Sequence, residues 1–318
     1  MNEKKEIKIA SVTYLISVIL FVLLSYYLLR ILLIFVRVDA INNILMSNNL
    51  LMYIQIGLTI AATLPYIISC IINRISITKI LRFRRFSLID LVLSIFGIAM
   101  FYPLIGLINY VTVNIFDMDT VTNYLTNISL VADKHIVFIA IAICPAIFEE
   151  LQFRGFIYGM TKKGGYFISS LFSALLFGLL HMNINQIGYT FFLGILLSFL
   201  VEATGSLWIP IIIHFIFNTI AIYQLDLIID INAFDISNSQ LHDNIDTKFF
   251  LIIFTVVVLA FIFIGILIFR YIAKRNGRED LLKNYFKINF NIAKRYINIY
   301  SIIAIAICLY VMIATIFI

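Results

Sequence analysis

Long apolar runs separated by short polar breaks organise this chain. They fall at 9–29, 50–72, 87–115, 134–160, 165–183, 187–203, 206–224, 249–269 and 299–318. Most reach the roughly 20 residues that an α-helix needs to cross a bilayer core of about 30 Å. In lipid, backbone N–H groups must bond within their own segment or around a closed barrel, and runs this continuous read as helices. The pattern predicts an all-α fold, a polytopic transmembrane helix bundle of about eight or nine spans. The first run lacks a small-residue cleavage site and exceeds the length of a signal-peptide core, so it reads as a retained span.

Composition agrees. The 318 residues are 63% hydrophobic and 13% charged, against roughly 25% charged in soluble domains, which excludes a water-soluble globule. The formal net charge of +6 matters through its placement. With the runs taken as successive crossings from a cytoplasmic N-terminus, one side collects Lys4, Lys5, Lys8, Arg74, Lys79, Arg82, Arg84, Arg85, Lys162, Lys163 and the basic stretch 270–295. The other side holds Arg37, Lys134 and Lys248 beside Asp117, Asp119, Asp243 and Asp246. This asymmetry predicts an N-in topology, with the 270–298 stretch lying on anionic lipid and no nucleic-acid partner. Cys70, Cys144 and Cys308 are far apart and without CxxC spacing, so they predict neither a disulfide framework nor a thiolate metal site. No internal repeat or soluble domain is visible. The chain divides into N-terminal helices with a basic loop (1–133), a polar-marked core (134–224) and C-terminal helices with a second basic loop (225–318).

The core is marked by ionisable side chains inside apolar runs, where they are costly and usually face a bundle interior or a wet cavity. The stretch "CPAIFEELQFRG" carries Glu149, Glu150 and Arg154; the next two polar positions of interest are His181, and His214 with Asn218. Glu150 and Arg154 are spaced i,i+4 with the acid first, the favourable order for a pair on one helix face. Phe177 and His181 share that spacing, as do His214 and Asn218. Glu149 stands about 100° around the helix from Glu150 and must serve another role. At about 1.5 Å per residue, Glu149, His181 and His214 lie at similar depth, near the midplane, so the three helices can bring them together. Pro145 and Pro210 each precede a polar residue by four positions, and each frees a carbonyl one turn earlier. Gly155 and Gly159 form a small-xxx-small face suited to helix packing.

A glutamate shielded from water can act as a general base, and with a histidine it can deprotonate a water. A second histidine and an amide on one face can stabilise an oxyanion. That set describes hydrolysis of an acyl group, most naturally a peptide bond. Glu149, His181 and His214 are equally good zinc ligands, and a metal-bound water would do the same work. Spacing leaves the two routes open, so the cofactor is none or one zinc ion. No HExxH, GxSxG or phosphate-binding loop is present.

The set EExxxR (Glu149, Glu150, Arg154), FxxxH (Phe177, His181) and HxxxN (His214, Asn218), with "EATGSLWIPIIIHFIFN" running into the last motif, resembles the CPBP family of intramembrane proteases. This family includes the CAAX prenyl endopeptidases and the bacteriocin-processing or Abi proteins. The resemblance covers about residues 134–224. It implies that Glu149 and His181 activate the water, that His214 and Asn218 stabilise the oxyanion, and that Glu150, Arg154 and Phe177 support the site. It also implies a membrane-associated peptide or protein as substrate. The Ile-, Asn- and Lys-rich composition points to a bacterial plasma membrane. Two readings compete with an endopeptidase: a non-catalytic immunity or regulatory membrane protein, and a transporter using the glutamates as a proton relay.

Overall fold

The computed structural model describes residues 2–35, 49–117, 119–120, 122–123, 128, 132–233 and 247–315; Arg37, Asp243 and Asp246 of the charge pattern lie outside them. Among the described residues every regular element is helical. The main helices are α1 (Glu3–Phe35), α2 (Leu50–Ile72), α3 (Leu88–Phe116), α4 (Lys134–Gly164), α5 (Tyr166–Leu180), α6 (Ile184–Thr204), α7 (Trp208–Ala233), α8 (Thr247–Arg275) and α9 (Ile299–Ala314). Six of them, α1 to α4, α6 and α8, are long and apolar enough to cross a membrane by length and composition. The apolar parts of α5, α7 and α9 are shorter. The protein is an all-α, integral membrane protein.

The helix ends follow local chemistry. Ser87 accepts a hydrogen bond from the Ile89 N–H at the start of α3, Asn183 from the Asn185 N–H at the start of α6, and Asn298 forms a capping box with Ser301 at the start of α9. Gly205, at φ +70°, closes α6 in the left-handed region where a Cβ is unfavourable. The run 165–183, expected as one span, is instead a 15-residue helix and a tight turn. Met182 takes φ +48° and Asn183 caps the next helix, so α5 stops short and His181 stands at its C-terminal end. A helix of that length rises only about 22 Å, which places the turn inside the bundle.

α5 and α6 form an antiparallel hairpin against α4, with α7 beside α4 and α6. The terminal helices brace this unit. Tyr14 of α1, fully buried, donates to the Leu176 carbonyl of α5 at 2.8 Å, and its ring meets Phe153 edge-on. The same hydroxyl lies 3.6 Å from Cys308 Sγ of α9. α3 and α8 pack against each other and against α6 on the opposite side, their apolar faces joined through Phe101, Phe199 and Phe269.

One end of the bundle carries a buried ion cluster that the hydropathy pattern did not reveal. Glu202, at the end of α6, accepts from Arg82 Nη1 at 2.6 Å and from Lys162 Nζ at 3.0 Å. Arg82 also reaches the Arg154 carbonyl at 3.4 Å. Lys162, assigned by charge pattern to an inner loop, is thus a clamp between α4 and α6.

Candidate active site

α4 is not a uniform α-helix. Its hydrogen bonding widens to the i→i+5 pattern over Ile139–Ile143 and again over Leu151–Ile157. These two π-segments bracket Cys144–Glu150, a distortion that often accompanies functional sites. Pro145 has no N–H for the Ile141 carbonyl four residues earlier. Asn218 Nδ2 of α7 donates to that oxygen at 2.9 Å. The second proline differs from the sequence expectation: Pro210 lies in the first turn of α7, where the missing N–H has no helical partner to lose.

Glu150 and Arg154 form the expected pair, with both side chains fully buried and Arg154 Nη1 donating to Glu150 Oε1 at 2.8 Å. The same oxygen accepts from His214 Nδ1 at 2.9 Å. The guanidinium carbon of Arg154 lies 4.2 Å from the centroid of the Phe177 ring, a cation–π contact strengthened by the absence of water. The Phe177 ring stands edge-on to both imidazoles, 5.0 Å from His181 and 5.8 Å from His214. Phe177 therefore ties the arginine to both histidines.

Glu149 faces elsewhere. Its side chain is 15% exposed where that of Glu150 is 0%, and it lines a cavity of about 460 Å³, a size typical of ligand sites. Phe177, His181, His214 and Asn218 line the same cavity; Glu150 and Arg154 are buried behind it. Glu149 Oε2 lies 3.9 Å from His214 Nε2, too far for a direct hydrogen bond and suited to one bridging water. His181 Nδ1 is 2.9 Å from the Phe177 carbonyl. A carbonyl only accepts, so Nδ1 carries the proton and Nε2 of the neutral ring keeps its lone pair.

The spacing did not anticipate two of these arrangements. His214 is held through Nδ1 by Glu150, and one N–H of the Asn218 amide is engaged by the backbone. Gln55, Asn183, Gln186 and Tyr189 also line the cavity and were missed. Gln55, a polar residue inside an apolar run, carried the same signal as the residues that were found. Thr120 clasps the turn that bears His181: its hydroxyl donates to Asn185 Oδ1 at 2.7 Å and accepts from Asn183 Nδ2 at 3.0 Å.

The zinc alternative can be tested on this donor set. Among the described residues, no group of three or more His, Cys, Asp or Glu side chains is gathered closely enough to hold a metal ion. Both histidines engage Nδ1, one on a backbone carbonyl and one on Glu150, and leave Nε2 facing the cavity, an arrangement that by itself is compatible with metal ligation. As arranged, Glu149, His181 and His214 do not converge on a single metal position.

Gly194 sets how closely α6 approaches this network. A Cβ there would stand 2.8 Å from the Ala174 Cβ and 3.0 Å from Arg154 Nη2. Gly194→Ala is expected to push α6 off α5 and destabilise the protein by about 1–3 kcal/mol. Thermal unfolding in detergent checks this, and an unchanged midpoint would show that the contact has slack.

Three comparisons with known proteins bear on this site. Residues 132–220 match the family described as type II CAAX prenyl endopeptidase Rce1-like. The provisionally named membrane peptidase YdiL of Bacillus subtilis (strain 168) is 32% identical over 87 residues, which is 27% of this chain and 36% of that protein. The chain thus spans about a third of the length of this curated relative. No solved structure matches. The matched segment contains Glu149, Glu150, Arg154, Phe177, His181, His214 and Asn218, so over residues 132–220 the chain is similar to the Rce1-like, CPBP-type family.

Proposed function

We propose that the protein is an intramembrane endopeptidase that hydrolyses a peptide bond in a membrane-associated peptide or protein, using a water activated by Glu149. The observation that carries this reading is the division of labour between adjacent glutamates. Glu150 is fully buried and spent on Arg154 and His214, whereas Glu149 opens onto the cavity with an imidazole nitrogen 3.9 Å away. The family description and the relative's name both denote peptide-bond cleavage, which supports the same chemistry.

In this mechanism a water is held on Glu149 Oε2 and His181 Nε2, while His214, held through Nδ1 by Glu150, turns its Nε2 edge to the oxyanion side. Glu149 takes a proton from the water as its oxygen attacks the peptide carbonyl. The oxyanion receives the second N–H of the Asn218 amide and, when His214 is protonated on both nitrogens, its Nε2–H. Glu149 then returns the proton to the departing amine as the C–N bond breaks. Glu150, Arg154 and Phe177 hold His214 in position throughout. This is a glutamate-type route with no step through a metal.

The basic ends of α4 and α8 support a cytoplasmic N-terminus, with the Glu202 cluster on that side and the site about 20 Å deeper, counted along α4. The substrate is most simply a peptide precursor or signalling peptide of a bacterial plasma membrane. The test is a comparison of membrane peptidomes from cells carrying wild-type or Glu149→Ala protein, with and without chelator. The expected result is a set of peptides that disappears with Glu149→Ala and persists under chelation. Products that survive Glu149→Ala would sink the reading; loss on chelation with recovery on added zinc would replace the mechanism with a metal-based one.

A further inference from the structure

Beside the main cavity lies a smaller chamber of about 160 Å³, walled by α1, α2, α4, α5 and α6. Glu149 and His181 line both spaces, so the reacting groups stand where the two meet. The volume is close to the roughly 150 Å³ of an engineered cavity that holds one benzene, which suits a single side chain. Gln55, Thr59 and Gln152 give this chamber a polar wall.

Gln152 is its most informative residue. It is 1% exposed, and its Oε1 is buried without a hydrogen-bond partner. The amide cannot relieve this by turning over. Thr63 donates its hydroxyl proton to the Thr59 carbonyl at 2.9 Å, so its oxygen can only accept, and Gln152 Nε2 donates to it at 2.8 Å. Oε1 is thereby left as an acceptor with nothing to accept. Thr59 presents the same polarity, because its own hydroxyl proton goes to the Gln55 carbonyl at 2.8 Å. A buried acceptor without a donor is costly in a folded protein and points to a ligand that supplies one.

We propose that this chamber is a second substrate subsite. It takes an uncharged, hydrogen-bond-donating side chain (Ser, Thr, Asn or Gln) from a residue flanking the scissile bond and holds it against the polar wall formed by Gln55, Thr59 and Gln152. The proposal rests on the proteolytic reading above. A substrate chain drawn past Glu149 and His181 would place its carbonyl in the larger cavity and this side chain in the smaller one. A cationic side chain is disfavoured because it would pair with Glu149 and remove the base.

The experiment uses the full chain in proteoliposomes with a library of synthetic transmembrane peptides whose central residues are randomised, and identifies products by mass spectrometry. Wild-type products should be enriched roughly tenfold in a donor side chain at one position beside the cut, as a single matched hydrogen bond implies. Gln152→Leu should keep cleaving but lose that enrichment, and should melt no lower than wild type, since it removes an unsatisfied buried oxygen. Glu149-dependent cleavage with an identical site profile in Gln152→Leu would overturn the subsite alone. A folded Gln152→Leu protein that cuts nothing would also overturn it, because a selectivity residue alters choice and not chemistry. Cleavage that persists in Glu149→Ala would overturn the proteolytic reading and the subsite with it. Should Gln152→Leu fail to accumulate in the membrane, Thr59→Val, which removes an acceptor from the same wall, carries the same expectations.

Discussion

Reconstituted Glu149→Gln protein is expected to cleave its substrate about 10²–10⁴ times more slowly than wild type, the range spanned by loss of a positioned general base. The substitution preserves shape and can still hydrogen bond to a water, but an amide cannot take the proton. Its effect on folding should be small. Glu149 forms no hydrogen bond to Arg154 or His214, its closest approach to either being the 3.9 Å gap to His214 Nε2, and the buried pair behind it stays complete. Removing one of two adjacent carboxylates also relieves like-charge repulsion. A single-turnover assay at equal folded concentration checks this, with the thermal midpoint as control. A rate within a few-fold of wild type would remove Glu149 from the chemistry.

The sequence exposed the bundle and the members of the site unequally. Helical class followed from apolar runs because lipid leaves the backbone few alternatives, and Glu149, Glu150, Arg154, His181, His214 and Asn218 stood out because polar residues are rare there. The i,i+4 rule identified the Glu150–Arg154 pair, which lies within one helix. The contacts between helices were not legible. Nothing in the spacing shows that His214 would turn Nδ1 to Glu150, or that Asn218 would take the Ile141 carbonyl freed by Pro145. Both depend on how α7 rotates against α4. The length of α5 was misread for a related reason: apolar residues continue to Met182, while the break comes from a positive φ at Met182 and the cap at Asn183, which hydropathy does not register. Glu202 escaped notice because the "VEATG" stretch reads as a helix end, whereas its carboxylate is buried between two cations.

Arg154→Met should be the most destabilising single change at the site. The arginine is completely buried and balances Glu150, and removing it leaves a carboxylate in an apolar interior with one imidazole for company. Breaking a buried ion pair from one side costs about 3–5 kcal/mol, enough to lower the unfolding midpoint by roughly 5–15 °C. Loss of the cation–π contact to Phe177 acts in the same direction. The double variant Glu150→Gln/Arg154→Met removes both charges and should recover most of that loss, because a matched neutral pair needs no solvation. Cleavage should not recover with it. The amide that replaces the Glu150 carboxylate can accept from His214 Nδ1 but offers no charge to stabilise an imidazolium at the moment of reaction, so the rate should stay at least about tenfold below wild type. Stability that returns without activity is the signature of a buried pair retained to hold a catalytic imidazole. A double variant no more stable than Arg154→Met would instead show that Arg154 acts through packing against Phe177 and Gly194, independently of the charge on Glu150.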